Sequence, residues 1–287
     1  MFKGFNIKYP EYAVITPQTL KEYTVRSLTV QEEEWLKGSA LIASKISEHL
    51  NKCIWECIIS KPKDVTSFEE FLEKTTTKDR EALLYGIYHI TYGDVRNYEV
   101  ACTKCGKEHE VSIKISDAVN IRLWPDKKSV LDTIEAVTLP VSGIEVIIKQ
   151  PTLKMEQDTI SRYVFAKEEK LTEITEKLII AKLIKRGEIR ETEPVVSGDV
   201  LSDSTSDTPT VIQEDDVVVE DFDDILFAVS TLPARDRKFI NKAYFDRFGQ
   251  YGIELKMAAP CPKCGYVDEV DIDLVTQFFR MVFEDSI

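Results

Sequence analysis

Four of the six cysteines in this 287-residue chain occur as two Cys-x-x-Cys pairs, each followed directly by a glycine. The pairs are Cys102 with Cys105, and Cys261 with Cys264. A tight turn with this spacing points two thiolates at one ion, and four thiolates around an ion are typical of structural zinc sites. Four protein ligands leave no open coordination position, so the sequence predicts one zinc ion with a structural role.

Two other uses of these cysteines remain open from the residue pattern alone. A thioredoxin-like redox motif has one Cys-x-x-Cys at the start of a helix, whereas both pairs here lead into alternating Val/Ile segments. In the second alternative each pair holds its own metal, with His109 as third ligand in the first site. The matching position in the second site is Asp268, a poorer ligand beside thiolates. A single zinc shared by all four cysteines is therefore the favoured prediction.

The surroundings of the two cysteine pairs repeat along the chain. Tyr92-Gly93 and Glu110–Ile115 flank the first pair, and Tyr251-Gly252 and Glu269–Leu274 flank the second pair 159 positions later. This constant offset predicts an internal duplication, which brings two distant knuckles to one ion.

A second match, at an offset of 123 positions, relates the segments that begin at Pro17 and Pro140. The difference between the two offsets predicts an insert in the second copy. A Ser/Thr/Asp/Pro-rich acidic stretch at about 191–221 has the required length. Because it contains few apolar residues to offset its ordering entropy, we expect it to be disordered.

The predicted fold is α+β and predominantly helical, with two tandem pseudo-symmetric repeats. Each repeat ends in a Cys-x-x-Cys knuckle and a short β ribbon, and the two are joined as a split zinc ribbon. Apolar spacing predicts long helices over roughly 30–59 and 153–187. The expected organisation is an N-terminal segment, repeat one, a linker, and repeat two with the insert, with bounds 1–14, 15–122, 123–138 and 139–287.

Composition and motifs exclude several functional classes. A formal net charge of -13 repels phosphate backbones. No apolar stretch is long enough to span a bilayer, and the first residues lack the apolar run of a signal peptide. Phosphate-loop, dinucleotide-binding and nucleophile-elbow motifs are missing. We expect a cytosolic protein without enzymatic activity that binds protein partners and neither nucleic acid nor membrane.

The alternative function is a zinc-ribbon regulator that binds nucleic acid. Such a protein needs basic and aromatic residues on its ribbon strands. The second predicted ribbon strand is instead crowded with carboxylates, at Asp268, Glu269, Asp271 and Asp273.

The order of short motifs resembles a known family. The motifs are the Tyr-Gly before Cys-Thr-Lys-Cys-Gly, the Leu-Pro pairs, the Cys-Pro-Lys-Cys-Gly and the terminal Phe278-Phe279; the Leu-Pro pairs are Leu139-Pro140 and Leu232-Pro233. Together they resemble the baseplate hub and hub-assembly proteins of T-even-type contractile-tailed bacteriophages, over roughly residues 12–280 except the insert. The resemblance implies a non-enzymatic hub subunit or assembly factor that contacts hub or tail proteins. It would act in the host cytoplasm during assembly or in the virion tail baseplate.

The apolar run near the C-terminus is the candidate partner-binding surface. Its proposed contact residues are Phe278, Phe279, Met281 and Phe283. The competing interpretation is that the same residues pack into the protein core.

Overall fold

The computed structural model describes residues 8–39, 43–163, 165–187, 189–191, 211–213 and 215–284. The chain divides into two compact units. Unit 1 comprises Met1–Thr133, Gln150–Leu178 and Asp246–Ile287, and unit 2 comprises Ile134–Lys149 and Ile179–Phe245.

Strands occur throughout the described part of the chain. In order they are β1 (Glu11–Ile15), β2 (Glu22–Arg26), β3 (Ile58–Ser60), β4 (Val95–Ala101), β5 (Glu108–Lys114), β6 (Val119–Ile121), β7 (Ile134–Thr138), β8 (Glu145–Lys149), β9 (Ile180–Lys185), β10 (Ile189–Glu191), β11 (Val211–Gln213), β12 (Val217–Val219), β13 (Ile253–Pro260) and β14 (Val267–Asp271).

The α-helices alternate with these strands. They are α1 (Val30–Ser39), α2 (Ala43–Cys57), α3 (Phe68–Lys74), α4 (Thr77–Tyr92), α5 (Ile115–Ala118), α6 (Leu153–Arg162), α7 (Glu168–Thr175), α8 (Phe222–Thr231), α9 (Ala234–Tyr244) and α10 (Leu274–Glu284).

The prediction of a predominantly helical fold was wrong, because the fold mixes helices and sheets. The second long helix, predicted over 153–187, is divided into α6, α7 and the strand β9. The β9 sequence Ile-Ala-Lys-Leu-Ile-Lys has only two β-branched residues, so its strand conformation depends on pairing with β8 and β12. The first predicted helix is likewise divided into α1 and α2, followed by β3. Leu41, Ile42 and Val164 of the predicted apolar stripes lie outside the described residues.

In unit 1, the long helix α4 packs against the antiparallel hairpin β1–β2. The contact is close at Gly86, where a Cβ atom would lie 2.7 Å from Cγ2 of Val14. Only glycine allows the helix to approach this strand so closely. Around the contact, Leu83, Leu84 and Ile87 of α4 are fully buried in the core.

A largely buried ion pair, with side chains 13% and 15% exposed, joins three helices of unit 1. The guanidinium of Arg80 on α4 contacts the carboxylate of Glu156 on α6, and Ser47 on α2 donates a 2.6 Å hydrogen bond to that carboxylate. Burial opposes the charged form of Glu156, but the guanidinium holds the pKa of this carboxyl below its usual value. The pair therefore stabilises the folded unit only while Glu156 is ionised.

Unit 2 is built on the antiparallel sheet β7-β8-β9-β12, with a separate two-stranded pair, β10–β11. β7 lies within the stretch that was expected to be a linker, and it pairs with β8 along its whole length. β11 and β12 lie within the insert that was expected to be disordered. Residues 192–210 and 214 of that insert lie outside the described residues.

Each unit has an equivalent contact within its own hairpin loop. In unit 1, the amides of Gln18 and Thr19 donate to Asp79, near the start of α4. In unit 2, the amides of Val141 and Ser142, 123 positions further on, donate to Asp236 near the start of α9. Both aspartates are fully buried. Two copies of one ancestral element would retain such a contact, which supports the inferred duplication.

Within the described residues, no helix combines the length and apolar character that crossing a bilayer requires.

Replacing Glu156 by Gln leaves the buried Arg80 guanidinium without its counter-charge. We expect the free energy of unfolding to fall by about 3 kcal/mol, measured by urea denaturation. The exposed pair Lys170–Glu173 provides the control, since Glu173→Gln should change stability by less than about 1 kcal/mol. In the unaltered protein the contribution of Glu156 is present above about pH 4.5 and is lost as pH falls through its lower folded pKa. Equal effects of the two substitutions would contradict this role of the pair.

Candidate metal centre

Two β-hairpins of unit 1 present the cysteines on turns of identical geometry. The first turn joins β4 to β5, and the second joins β13 to β14. The Cys102 amide donates to the Lys107 carbonyl at 3.0 Å, and the Cys261 amide donates to the Tyr266 carbonyl at 2.8 Å. The glycine that follows each pair has a φ of +67°, a conformation that L side chains rarely adopt. The sequence Cys-x-x-Cys-Gly therefore specifies each turn locally.

The hydrophobic core of unit 1 holds both hairpins in place. On β13 every second side chain is buried, and these residues are Ile253, Leu255, Met257 and Ala259. Tyr98 of β4 belongs to the same core cluster, with Val100, Val111 and Ile113 packed against it. Burial of these alternating residues fixes which face of each strand points inward, and so fixes the positions of the cysteine turns.

The prediction that the knuckles form one split zinc ribbon was wrong. β4 and β5 form a separate two-stranded sheet, whereas β13 pairs with both β14 and β6 in a three-stranded sheet. β6 pairs with residues 253–255 of β13 and β14 pairs with residues 256–260, and neither pairing includes the first hairpin. The turns meet through their side chains.

All four cysteine sulfurs converge in one cluster. Any two of the Sγ atoms of Cys102, Cys105, Cys261 and Cys264 lie within 4.8 Å of each other. The sulfur–sulfur distances between hairpins are 3.7 Å for Cys102–Cys264 and 3.7 Å for Cys105–Cys261. The predicted convergence of the four cysteines is therefore observed, across 156 positions of sequence between Cys105 and Cys261.

The spacing fits a tetrahedral metal ion. A zinc–sulfur bond of about 2.3 Å implies sulfur–sulfur separations of about 3.8 Å around the tetrahedron. A disulfide bond, at about 2.05 Å, would require far closer sulfurs. The four cysteines can thus hold one metal ion. A thioredoxin-like redox motif uses a single Cys-x-x-Cys and would not require the two pairs to converge.

The thiols influence one another's ionisation. Burial opposes ionisation of Cys261, but backbone amides of Cys264 and Lys263 and neighbouring thiols lower its pKa to about 6. Burial raises the pKa of Cys102 to about 12. Because each thiolate disfavours the next one, four thiolates coexist only when a cation offsets their charge.

One carboxylate links the two cysteine turns. Asp268, at the start of the second hairpin's return strand β14, accepts hydrogen bonds from both the amide and the hydroxyl of Thr103 in the first turn. The hydrogen bond from the Thr103 hydroxyl is the largest of the effects that hold the pKa of Asp268 below its usual value. The Lys104 ammonium lies 5.7 Å from the ring centroid of Tyr266, a second contact between the turns.

Sequence reasoning treated Asp268 as a poor metal ligand and as one of the carboxylates that oppose nucleic-acid binding, and it missed this contact. A signal was present in the repeat alignment. The residues that correspond to Thr103 and Asp268 in the opposite copies are Pro262 and His109. Proline has no amide hydrogen, so the mirror-image bond cannot form. This break in the repeat pattern marks a position where the two turns are linked asymmetrically.

His109 does not join the cysteine cluster. Its Nδ1 atom lies 3.2 Å from the Lys107 carbonyl oxygen, and the group of candidate metal ligands among the described residues contains only cysteines. The two cysteine pairs therefore form one shared cluster and not two separate sites.

The structure divides the predicted partner-binding residues on α10 between core and surface. Phe278 is 1% exposed and belongs to the core, so it cannot contact a partner. Phe279 and Met281 are half-buried and pack against the same core. Phe283 is 42% exposed. Of the four, Phe283 offers the most apolar surface to a partner.

Replacing Asp268 by Asn removes the charge from the link between the turns while retaining its shape. We expect the affinity for a bound metal to fall by about 10-fold or more, as for other residues that orient metal ligands. The measurement is competition for zinc with a chromophoric chelator. Asp271→Asn, on the same strand but exposed, is the matched control and should leave the affinity unchanged. Unchanged affinity in Asp268→Asn would show that the link does not support the site.

Comparisons with known proteins identify the family. The family described as T4 bacteriophage base plate protein matches residues 9–280, which is nearly the whole chain. No curated protein and no solved structure matches the chain. Because the family match includes both hairpins, both cysteine pairs and most of α10, this chain belongs to the T4-type bacteriophage baseplate protein family.

Proposed function

We propose that this protein is a non-enzymatic component of the phage tail baseplate hub, or a factor that assembles the hub, with one structural zinc ion. The four-thiol cluster carries the proposal. It closes the coordination sphere of an ion and so leaves no position for a substrate. The baseplate family supports a role through contacts with other baseplate or tail proteins.

Zinc is the metal that the donor set favours. Four thiolates in a tetrahedral arrangement select zinc over magnesium, calcium or manganese, which prefer oxygen ligands. Structural zinc sites in peptides contribute on the order of 10 kcal/mol. A contribution of this size would hold the two hairpins together, although their backbones do not pair with each other.

A protein partner suits the surface better than nucleic acid does. The chain carries a formal net charge of -13, and the carboxylates of Glu269 and Asp271 on β14 are exposed beside the cysteine site. These charges oppose a phosphate backbone. The exposed ring of Phe283, at the end of α10, would contribute apolar contact area to a protein partner.

Elemental analysis tests the zinc site. Protein purified without chelators should contain one zinc per chain, and Cys261→Ser should lose the metal and melt at a markedly lower temperature because both hairpins lose their link. Cys57→Ser is the control for loss of a buried thiol, since Cys57 lies outside the cluster and should not change the zinc content. Native protein free of zinc, or full zinc retention in Cys261→Ser, would refute the structural zinc.

Quantitative mass spectrometry of purified virions and of assembly intermediates tests the baseplate role. A hub subunit is expected at a fixed ratio to other baseplate proteins in virions, whereas an assembly factor is expected only in the intermediates. Phage lacking the protein should accumulate tail-less heads, because contractile tails are built on the baseplate. Normal tails in its absence would refute both forms of the proposal.

A further inference from the structure

The sheet of unit 2 has two faces of different character. The strand register places Val146, Ile148 and Leu183 on one face, and all three are buried. Helices α8 and α9 contact strands β9 and β8, and their buried residues Ile225 and Ile240 complete a core on this side. The unit's own helices therefore cover this face over β8 and the adjoining part of β9, whereas Val217 and Lys185 at its edge are exposed.

The opposite face carries apolar side chains on all four strands. We call it the open face: Ile134 and Ala136 on β7 and Val218 on β12 are exposed, Ile184 on β9 is half-buried, and Ile147 on the central strand β8 is buried. Ile134 is 58% exposed and Val218 is 50% exposed. Solvent-facing positions of an antiparallel sheet normally carry polar residues. Apolar residues on the two outer strands of this face indicate an interaction surface.

Of the charged strand residues on the open face, which are Glu145, Lys149 and Lys182, only Lys149 has no ion-pair partner among the described residues. Lys182 contacts Glu220 at 3.3 Å. Arg186 contacts both Glu145 and Asp216, at 2.8 and 2.6 Å. Lys149, which lies opposite Ile134 in the register, has no ion-pair partner among the described residues.

Lys149 is also half-buried, which makes an unpaired charge unfavourable. Burial lowers the pKa of its ammonium group. A half-buried cation gains most from a carboxylate that arrives together with apolar surface, because the pair is then shielded from water. The open face thus has an apolar area and a single unsatisfied positive charge.

We propose that the open face docks another baseplate protein through an apolar surface that carries a carboxylate, and that this carboxylate pairs with Lys149. The inference rests on the proposed function for the choice of partner. The apolar residues supply contact area, and the charge pair fixes the register and excludes surfaces that lack an acidic group.

Charge substitutions at Lys149 test the pairing in phage assembly, with the variant protein supplied in trans to a phage that lacks its own copy. Lys149→Glu should lower incorporation into baseplate intermediates by about tenfold or more. Lys149→Met should also lower incorporation, yet it should melt at the same or a higher temperature, because it removes an unpaired half-buried charge. Lys185→Glu and Lys185→Met are matched controls on the same sheet, since Lys185 is exposed, and should assemble normally.

Photo-crosslinking identifies the partner. Benzoylphenylalanine at positions 134 and 218 should crosslink to one and the same baseplate protein, within a segment that contains Asp or Glu among apolar residues. Position 59, also exposed but on β3 of unit 1, is the control and should not give this product. Replacing the crosslinked partner's carboxylate by Lys should then restore assembly to Lys149→Glu.

Three outcomes would overturn the docking proposal: normal assembly of Lys149→Glu, crosslinks to a second copy of this chain, or crosslinks within the same chain. These failures are distinct from failure of the proposed function. A protein that contains zinc and enters baseplates, but assembles normally as Lys149→Glu, retains its proposed role and loses only this surface.

Discussion

Convergence of four thiols from two hairpins is the constraint on which unit 1 depends. The hairpins belong to different sheets, so no backbone ladder joins them. Side chains at their tips provide the link, through the sulfur atoms and through the bond from Thr103 to Asp268. A cation between the sulfurs would convert four mutually repelling thiolates into the strongest connection in the unit.

The core of unit 1 positions the cysteine cluster. Alternating burial along β13 and the burial of Tyr98 on β4 orient the hairpins, and the orientation brings the sulfurs within 4.8 Å. Helices α2, α4 and α6 support that core from within, joined by the Arg80–Glu156 pair. This arrangement would suit the proposed structural role in the baseplate.

Unit 2 shares one local contact with unit 1 but has no candidate metal site among its described residues. Its first hairpin repeats the contact of unit 1, with Asp236 in the place of Asp79. Its sheet then acquires β9, which apolar spacing predicted to be helical, and β12, which lies in the stretch that composition predicted to be a disordered insert. β9 mixes Ile with Ala, Leu and Lys, and β12 is only three residues long, so the conformation of both depends on neighbours that a local pattern does not reveal.

The sequence by itself determined the cysteine turns, the repeat relation and the family resemblance, because each depends on residues within a few positions of one another or on direct self-comparison. The tertiary structure decided the balance of helix and strand, the burial of Phe278, and the link from Thr103 to Asp268. It also decided that the knuckles meet through side chains and not as one ribbon. These features depend on long-range strand pairing and packing, in which residues more than 100 positions apart compete for the same partners.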